Sequence, residues 1–195
     1  MIPPILGAMI LIGTLAVVGL GLTAIVIGLV RSQPAWTRLG AIVATLGVAG
    51  WAIVWVIGLA TGPRRSLSRG EELHFCGVDC HLHISVVRAT RDTDIGVVLR
   101  FRSDAKSADE FPGLLRYVVV DSAGRPYLPA SGIIAEPLPA GETIEREFRF
   151  SVPPEARRPQ LRIYWPGKLD YLVPGRANPL VQQRVELSLG VGDGP

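Results

Sequence analysis

His74-Phe75-Cys76-Gly77-Val78-Asp79-Cys80-His81-Leu82-His83 is the stretch where the chain changes character, and it holds both cysteines and all three histidines. Before it, from Met1 to Arg69, there is no Asp, Glu, Lys or His. The only charges there are Arg31, Arg38, Arg64, Arg65 and Arg69, whereas all 17 acidic residues follow. At its end a period of two begins: Leu82, Ile84 and Val86 point one way, His81, His83 and Ser85 the other, as in a half-buried strand. The stretch is therefore a seam between a segment apolar enough for a bilayer and a β-rich globular part. The mean hydropathy of +0.34 for 195 residues reflects the first of these.

Outward on the N-terminal side, residues 1–62 read as a transmembrane hairpin. Ile5 to Val30 carries no charge and would span about 39 Å as a helix, enough for a hydrocarbon core of about 30 Å. No basic residue precedes it and it exceeds the apolar stretch of a signal peptide, so cleavage is not expected. Arg31 to Arg38 is a polar break in which Pro34 stops the helix and Trp36 suits the headgroup level. Leu39 to Ala60 returns. Gly7, Thr14, Gly21 and Gly28 recur every seven residues, as do Gly40 and Gly47 with Ala44 between them; such stripes let helices approach closely in lipid. Trp51 and Trp55, four apart, share a face, where an outward aromatic near the membrane interface is the expected role for Trp55.

In the other direction, residues 63–72 form a short linker with Gly62, Pro63 and Gly70 as breakers, and residues 73–190 a single domain. After the strand at Leu82, the runs Ile95–Phe101, Leu115–Val120, Ile144–Phe150, Leu161–Trp165 and Val181–Leu189 also alternate. Between them lie the turn signals Asp121-Ser-Ala-Gly-Arg-Pro126, Pro137-Leu-Pro-Ala-Gly141, Pro153-Pro154 and Trp165-Pro-Gly167. Short strands at this spacing predict an antiparallel β-sandwich with no crossover helix, closed by a tail at 191–195.

Charge narrows the function. The net charge of +3 is more than accounted for by the five arginines flanking the apolar runs. No basic block interleaves with aromatics, so a nucleic-acid partner is not expected. No ionisable residue lies within either apolar run, which argues against a transporter or proton relay. The two arginines of the inter-helix loop place that loop in the cytoplasm and the β-domain outside, in the periplasm of a cell with an inner membrane; Arg64, Arg65 and Arg69 pull the other way, but the first helix usually dominates. No Gly-x-Ser-x-Gly, phosphate loop or His-Glu-x-x-His occurs, and carboxylates such as Glu110, Glu136, Glu145 and Glu147 sit in turns or on polar faces, so catalysis is not expected.

The seam itself admits three readings. A Cys76–Cys80 disulfide is the first, since an exported cysteine pair usually means that. A copper or zinc site on His81, His83, Cys76 and Cys80 is the second, the two histidines lying about 6.7 Å apart on one strand face. Covalent haem is the third, although Cys76-Gly-Val-Asp-Cys80-His81 has one residue too many between its cysteines. The first reading leaves the protein without a cofactor.

Two resemblances extend these expectations. A transmembrane hairpin followed by a β-domain resembles subunit II of haem-copper oxidases, whose domain is cupredoxin-like. Cys76 and Cys80 have the separation of its copper loop, but His83 lies three residues on instead of four, no Met follows, and the motif stands at the start of the domain, so the copper centre is not carried over. Residues 71 to 189 are similar to immunoglobulin-like domains anchored on bacterial surfaces, in the turn Leu138-Pro-Ala-Gly-Glu142, the alternating strand after it, and Val152-Pro-Pro. The expected function is a non-catalytic accessory subunit of a larger membrane complex of respiratory or photosynthetic type, whose partners are other subunits and lipid. The alternatives are a copper or haem redox module for electron transport and a free-standing extracytoplasmic sensor or ligand-binding domain.

Overall fold

The computed structural model describes residues 2–62, 64–75, 81–132, 134–175 and 178–191. Two compact units divide the chain: Met1–Gly62 with Lys168–Asn178, and Pro63–Gly167 with Pro179–Pro195. The segment 168–178, which the sequence assigned to the β-domain, groups with the hairpin.

The first unit is built on α1 (Pro4–Val30) and α2 (Pro34–Ala60). Both helices are long and apolar enough to cross a membrane. Each has proline in its first turn, where the missing N–H costs nothing. Pro34 thus opens α2, so the second helix starts five residues earlier than the uncharged run and Trp36 lies in its first turn. The connection is three residues long, with Ser32 at φ 52°.

Small residues close the antiparallel hairpin. A methyl placed on Gly21 would stand 2.7 Å from the Gly40 carbonyl oxygen and 2.8 Å from the Ala44 nitrogen, and one on Gly40 would meet the Gly21 carbonyl oxygen and, at 2.8 Å, the Ile25 nitrogen. Gly28 lies against Thr37, and Gly47 against Val17 and Val18. The stripes are therefore occupied by each other. Thr14 donates its hydroxyl to the Ile10 carbonyl within α1, and Gly7 abuts Pro174. Elsewhere Met9, Ile12, Leu15, Leu20, Leu46 and Ile53 are exposed, so the perimeter is apolar.

The 168–178 segment sits against the open end of this hairpin. Leu169–Leu172 forms a 3₁₀ turn. The indole N–H of Trp51 donates to the Leu172 carbonyl (3.1 Å) and that of Trp55 to the Tyr171 carbonyl (2.8 Å). Gly58 faces the Gly175 nitrogen, and Gly175 itself, at φ 95°, packs on Ile2. Asn178, fully buried, donates to the Tyr171 and Val173 carbonyls. Burial raises the Asp170 carboxyl above its ordinary range. The two indoles satisfy backbone carbonyls of a non-helical segment, which has no ladder of its own to do so.

The second unit has two five-stranded sheets. One contains β1 (Arg65–Leu67), β10 (Val185–Ser188), β9 (Gln160–Tyr164), β5 (Arg116–Val120) and β6 (Pro126–Tyr127), side by side in that order. The other runs β2 (Leu73–Phe75), β3 (Leu82–Arg91), β4 (Ile95–Ser103), β8 (Thr143–Phe150) and β7 (Pro129–Ser131). All pairs are antiparallel except β1 with β10, Arg65 opposite Val185. The expected wholly antiparallel architecture is corrected there: residues expected to be linker form an edge strand. The expected strand Val181–Leu189 is likewise shortened, since Pro179–Gln182 forms one helical turn, α3.

The sheets share one core. Ile84, Val86, Ile95, Val97, Leu99, Phe101, Phe148 and Phe150 from one meet Tyr117, Val119, Leu161, Ile163 and Leu187 from the other. Tyr117 and Phe148 lie with ring centroids 4.6 Å apart. Each fully buried aromatic or branched side chain contributes about 1.5–3 kcal/mol relative to exposure. The buried Tyr117 hydroxyl donates to the Pro112 carbonyl at 2.7 Å, and desolvation pushes its phenol well above the ordinary tyrosine range. The expected turns are present in finer form: Arg91 donates to the Pro153, Pro154 and Ala156 carbonyls, while Leu138, in an expected turn, is buried and bridged to Glu110.

Candidate functional site

The β2–β3 pairing builds the candidate site. Leu73 faces Ile84, His74 faces His83 and Phe75 faces Leu82, and on the far side of β3 His83 faces Arg102. Because side chains alternate along a strand, His74, His83 and Arg102 form one row across three strands, on the face opposite Leu82, Ile84 and Phe101. Glu72, two residues before His74, joins that face. Asp104 enters just beyond the end of β4.

His83 is at the centre of the row and only 5% exposed. Alternation placed it on a polar, exposed face; it is on that face, but neighbouring side chains cover it. Its ring meets that of His74 edge-on, with centroids 4.4 Å apart. Nε2 lies 2.8 Å from Asp104 Oδ2, and the other carboxylate oxygen, Oδ1, lies 2.8 Å from His81 Nδ1. Nδ1 of His83 lies 3.3 Å from Glu72 Oε2, a separation without hydrogen-bond geometry, and is a buried side-chain atom without a hydrogen-bond partner among the described residues. Glu72 is held by Arg102 through two contacts, Nε to Oε1 at 3.2 Å and Nη2 to Oε2 at 2.6 Å.

These contacts set the charges. Hydrogen bonding from Arg102 outweighs burial and holds the Glu72 carboxyl below its ordinary range. Hydrogen bonds from His81 and then His83 do the same for Asp104. Both carboxylates are thus anionic at neutral pH. One donor atom each from Glu72, His74 and His83 lies within 4.8 Å of the others, a group able to hold a metal ion.

No family model, curated protein or solved structure matches this chain. The geometry therefore carries the reading alone.

The ligand set expected from sequence was His81, His83, Cys76 and Cys80. The structure brings His81 and His83 together on Asp104, not on a shared open point, and groups His83 with His74 and Glu72 instead. Cys76 and Cys80, with the expected disulfide and the haem signature, lie outside the described residues. The missed partner was legible in principle. Leu73-His74-Phe75 and Leu82-His83-Ile84 each carry a histidine between two apolar residues and are separated by six residues in the sequence, a pattern compatible with a hairpin that pairs those histidines. Glu72, Arg102 and Asp104 had no such signal, because nothing in a linear pattern says which charged residues will flank a row.

Proposed function

We propose that this protein is a membrane-anchored, non-catalytic accessory subunit of a larger membrane assembly, with an immunoglobulin-like β-domain on the extracytoplasmic side. The observation that carries the reading is the hairpin: two long helices with uncharged runs and many exposed apolar side chains, whose glycine seam is already occupied by its own partner helix. Apolar side chains around such a hairpin suit lipid and the flank of another membrane protein, since no water is needed to solvate them. The arginines at Arg31 and Arg38 favour a cytoplasmic inter-helix loop. The Tyr117 hydroxyl bonded five residues back to Pro112 resembles the tyrosine corner of immunoglobulin-like sandwiches and supports that class.

A non-catalytic role is supported by what the carboxylates do. Glu71, Glu145, Glu147 and Glu186 are paired with Arg65, Arg100, Arg149 and Arg162. On the β-unit Phe111, Leu114 and Leu128 are exposed apolar groups that a neighbouring subunit would cover. The test is extraction of the tagged full chain from its own membranes in mild detergent, with native electrophoresis and mass spectrometry. Stoichiometric co-migrating subunits are expected. Release by a carbonate wash, or a lone monomer at native expression level, overturns the reading. The competing redox reading requires copper content or visible haem absorption in the same fraction.

A further inference from the structure

We propose that Glu72, His74 and His83 form a binding site for one divalent transition-metal ion, with zinc the best-matched class. The decisive atom is His83 Nδ1. His83 Nε2 lies 2.8 Å from Asp104 Oδ2, and Nδ1 is buried without a hydrogen-bond partner among the described residues; with the ring proton on Nε2, facing that carboxylate, Nδ1 carries the lone pair of a ligand. That lone pair faces a second acceptor, the Glu72 carboxylate at 3.3 Å. The part-exposed Glu72 oxygen is held by Arg102, whereas the buried Nδ1 has no such partner among the described residues; a cation beside both would satisfy Nδ1 and be met by the carboxylate.

The surroundings match the chemistry of such a site. A metal-bound imidazole nearly always gives its other ring nitrogen to a carboxylate, which fixes the tautomer and strengthens the ligand; Asp104 does this for His83. Two imidazole nitrogens and one carboxylate oxygen suit zinc, copper or nickel over calcium or magnesium. His74 is exposed at the rim, which gives the ion a way in. Arg102 competes for Glu72 but also aims its carboxylate, and the two carboxylates outnumber it, so the pocket is formally negative before an ion enters. Three protein ligands leave a fourth tetrahedral position for water or a partner's side chain.

The site lies wholly in the β-unit, so its failure would leave the anchoring reading untouched. The experiment is titration of the purified full chain in detergent, stripped by chelator, with Zn²⁺ alone, followed by X-ray absorption at the zinc edge. One Zn²⁺ per chain is expected, with nitrogen and oxygen scatterers at about 2.0–2.1 Å. His74→Ala removes an exposed ligand without opening the core and should weaken binding at least ~10-fold; Asp104→Asn should cost about 10- to 100-fold. His81→Ala should leave the affinity essentially unchanged. Absence of Zn²⁺, Cu²⁺ and Ni²⁺ binding overturns the proposal. Binding that survives His74→Ala and is lost in Cys76→Ser/Cys80→Ser, with sulfur scatterers at about 2.3 Å, overturns it equally.

Discussion

Asp121 closes the β5–β6 turn with a carboxylate that accepts from the backbone N–H groups of Ala123 and Arg125, the Arg125 guanidinium and the Tyr127 hydroxyl. Gly124 supplies the left-handed residue, φ 79°, that the turn requires. Burial alone would raise this carboxyl; the four donors together bring it below its ordinary value. A depressed folded-state value means that the contribution is full above the unfolded pKa of about 3.9 and is lost as pH falls through the lower, folded one. Acid titration below about pH 4 should therefore destabilise the wild-type β-unit more than Asp121→Asn, as read by thermal unfolding at stepped pH; parallel curves would refute this. The sequence Asp121-Ser-Ala-Gly-Arg announces such a turn, because the residue types are those the geometry needs. The burial of His83 was not announced: alternation tells which face a side chain takes, not what lies on that face.

At the level of elements, the helix seam makes the sharpest forecast. Gly21 and Gly40 have no room for a Cβ, whereas Gly13, Gly19 and Gly50 have nothing within 4 Å of one. Gly40→Ile should separate the helices and lower the thermal midpoint of the hairpin, while Gly50→Ile should be tolerated; the comparison is made by cross-linking of cysteines introduced on facing turns. Equal effects would sink the seam. Trp55→Phe keeps the ring but loses one of the two bonds to the Tyr171 carbonyl, which keeps the Asn178 amide; the cost is about 0.5–1.5 kcal/mol, and protease cleavage near Lys168 should accelerate. The two helices and most strands were legible because hydrophobic periodicity is a local property. The attachment of 168–178 to the hairpin was not, since Trp165-Pro-Gly-Lys-Leu-Asp-Tyr171 reads only as a turn followed by a weakly apolar run.

For the molecule as a whole, the two units rest on different physics. The β-unit depends on burying apolar surface away from water, which guanidinium weakens, while the hairpin satisfies its backbone internally and, in the proposed setting, sits in detergent or lipid. Denaturant should thus abolish the Trp165 signal of the β-unit while helical circular dichroism persists; Trp36, Trp51 and Trp55 report on the other unit. A single coincident transition would contradict this independence. The hairpin also has a history. Its indole donors find their acceptors 116 and 121 residues further along the chain, so during synthesis the helices leave the ribosome on the order of 10 s before the segment that completes them. For that interval Gly7, Gly58 and two indole N–H groups stand open, and whatever escorts the nascent chain meets an unfinished hairpin.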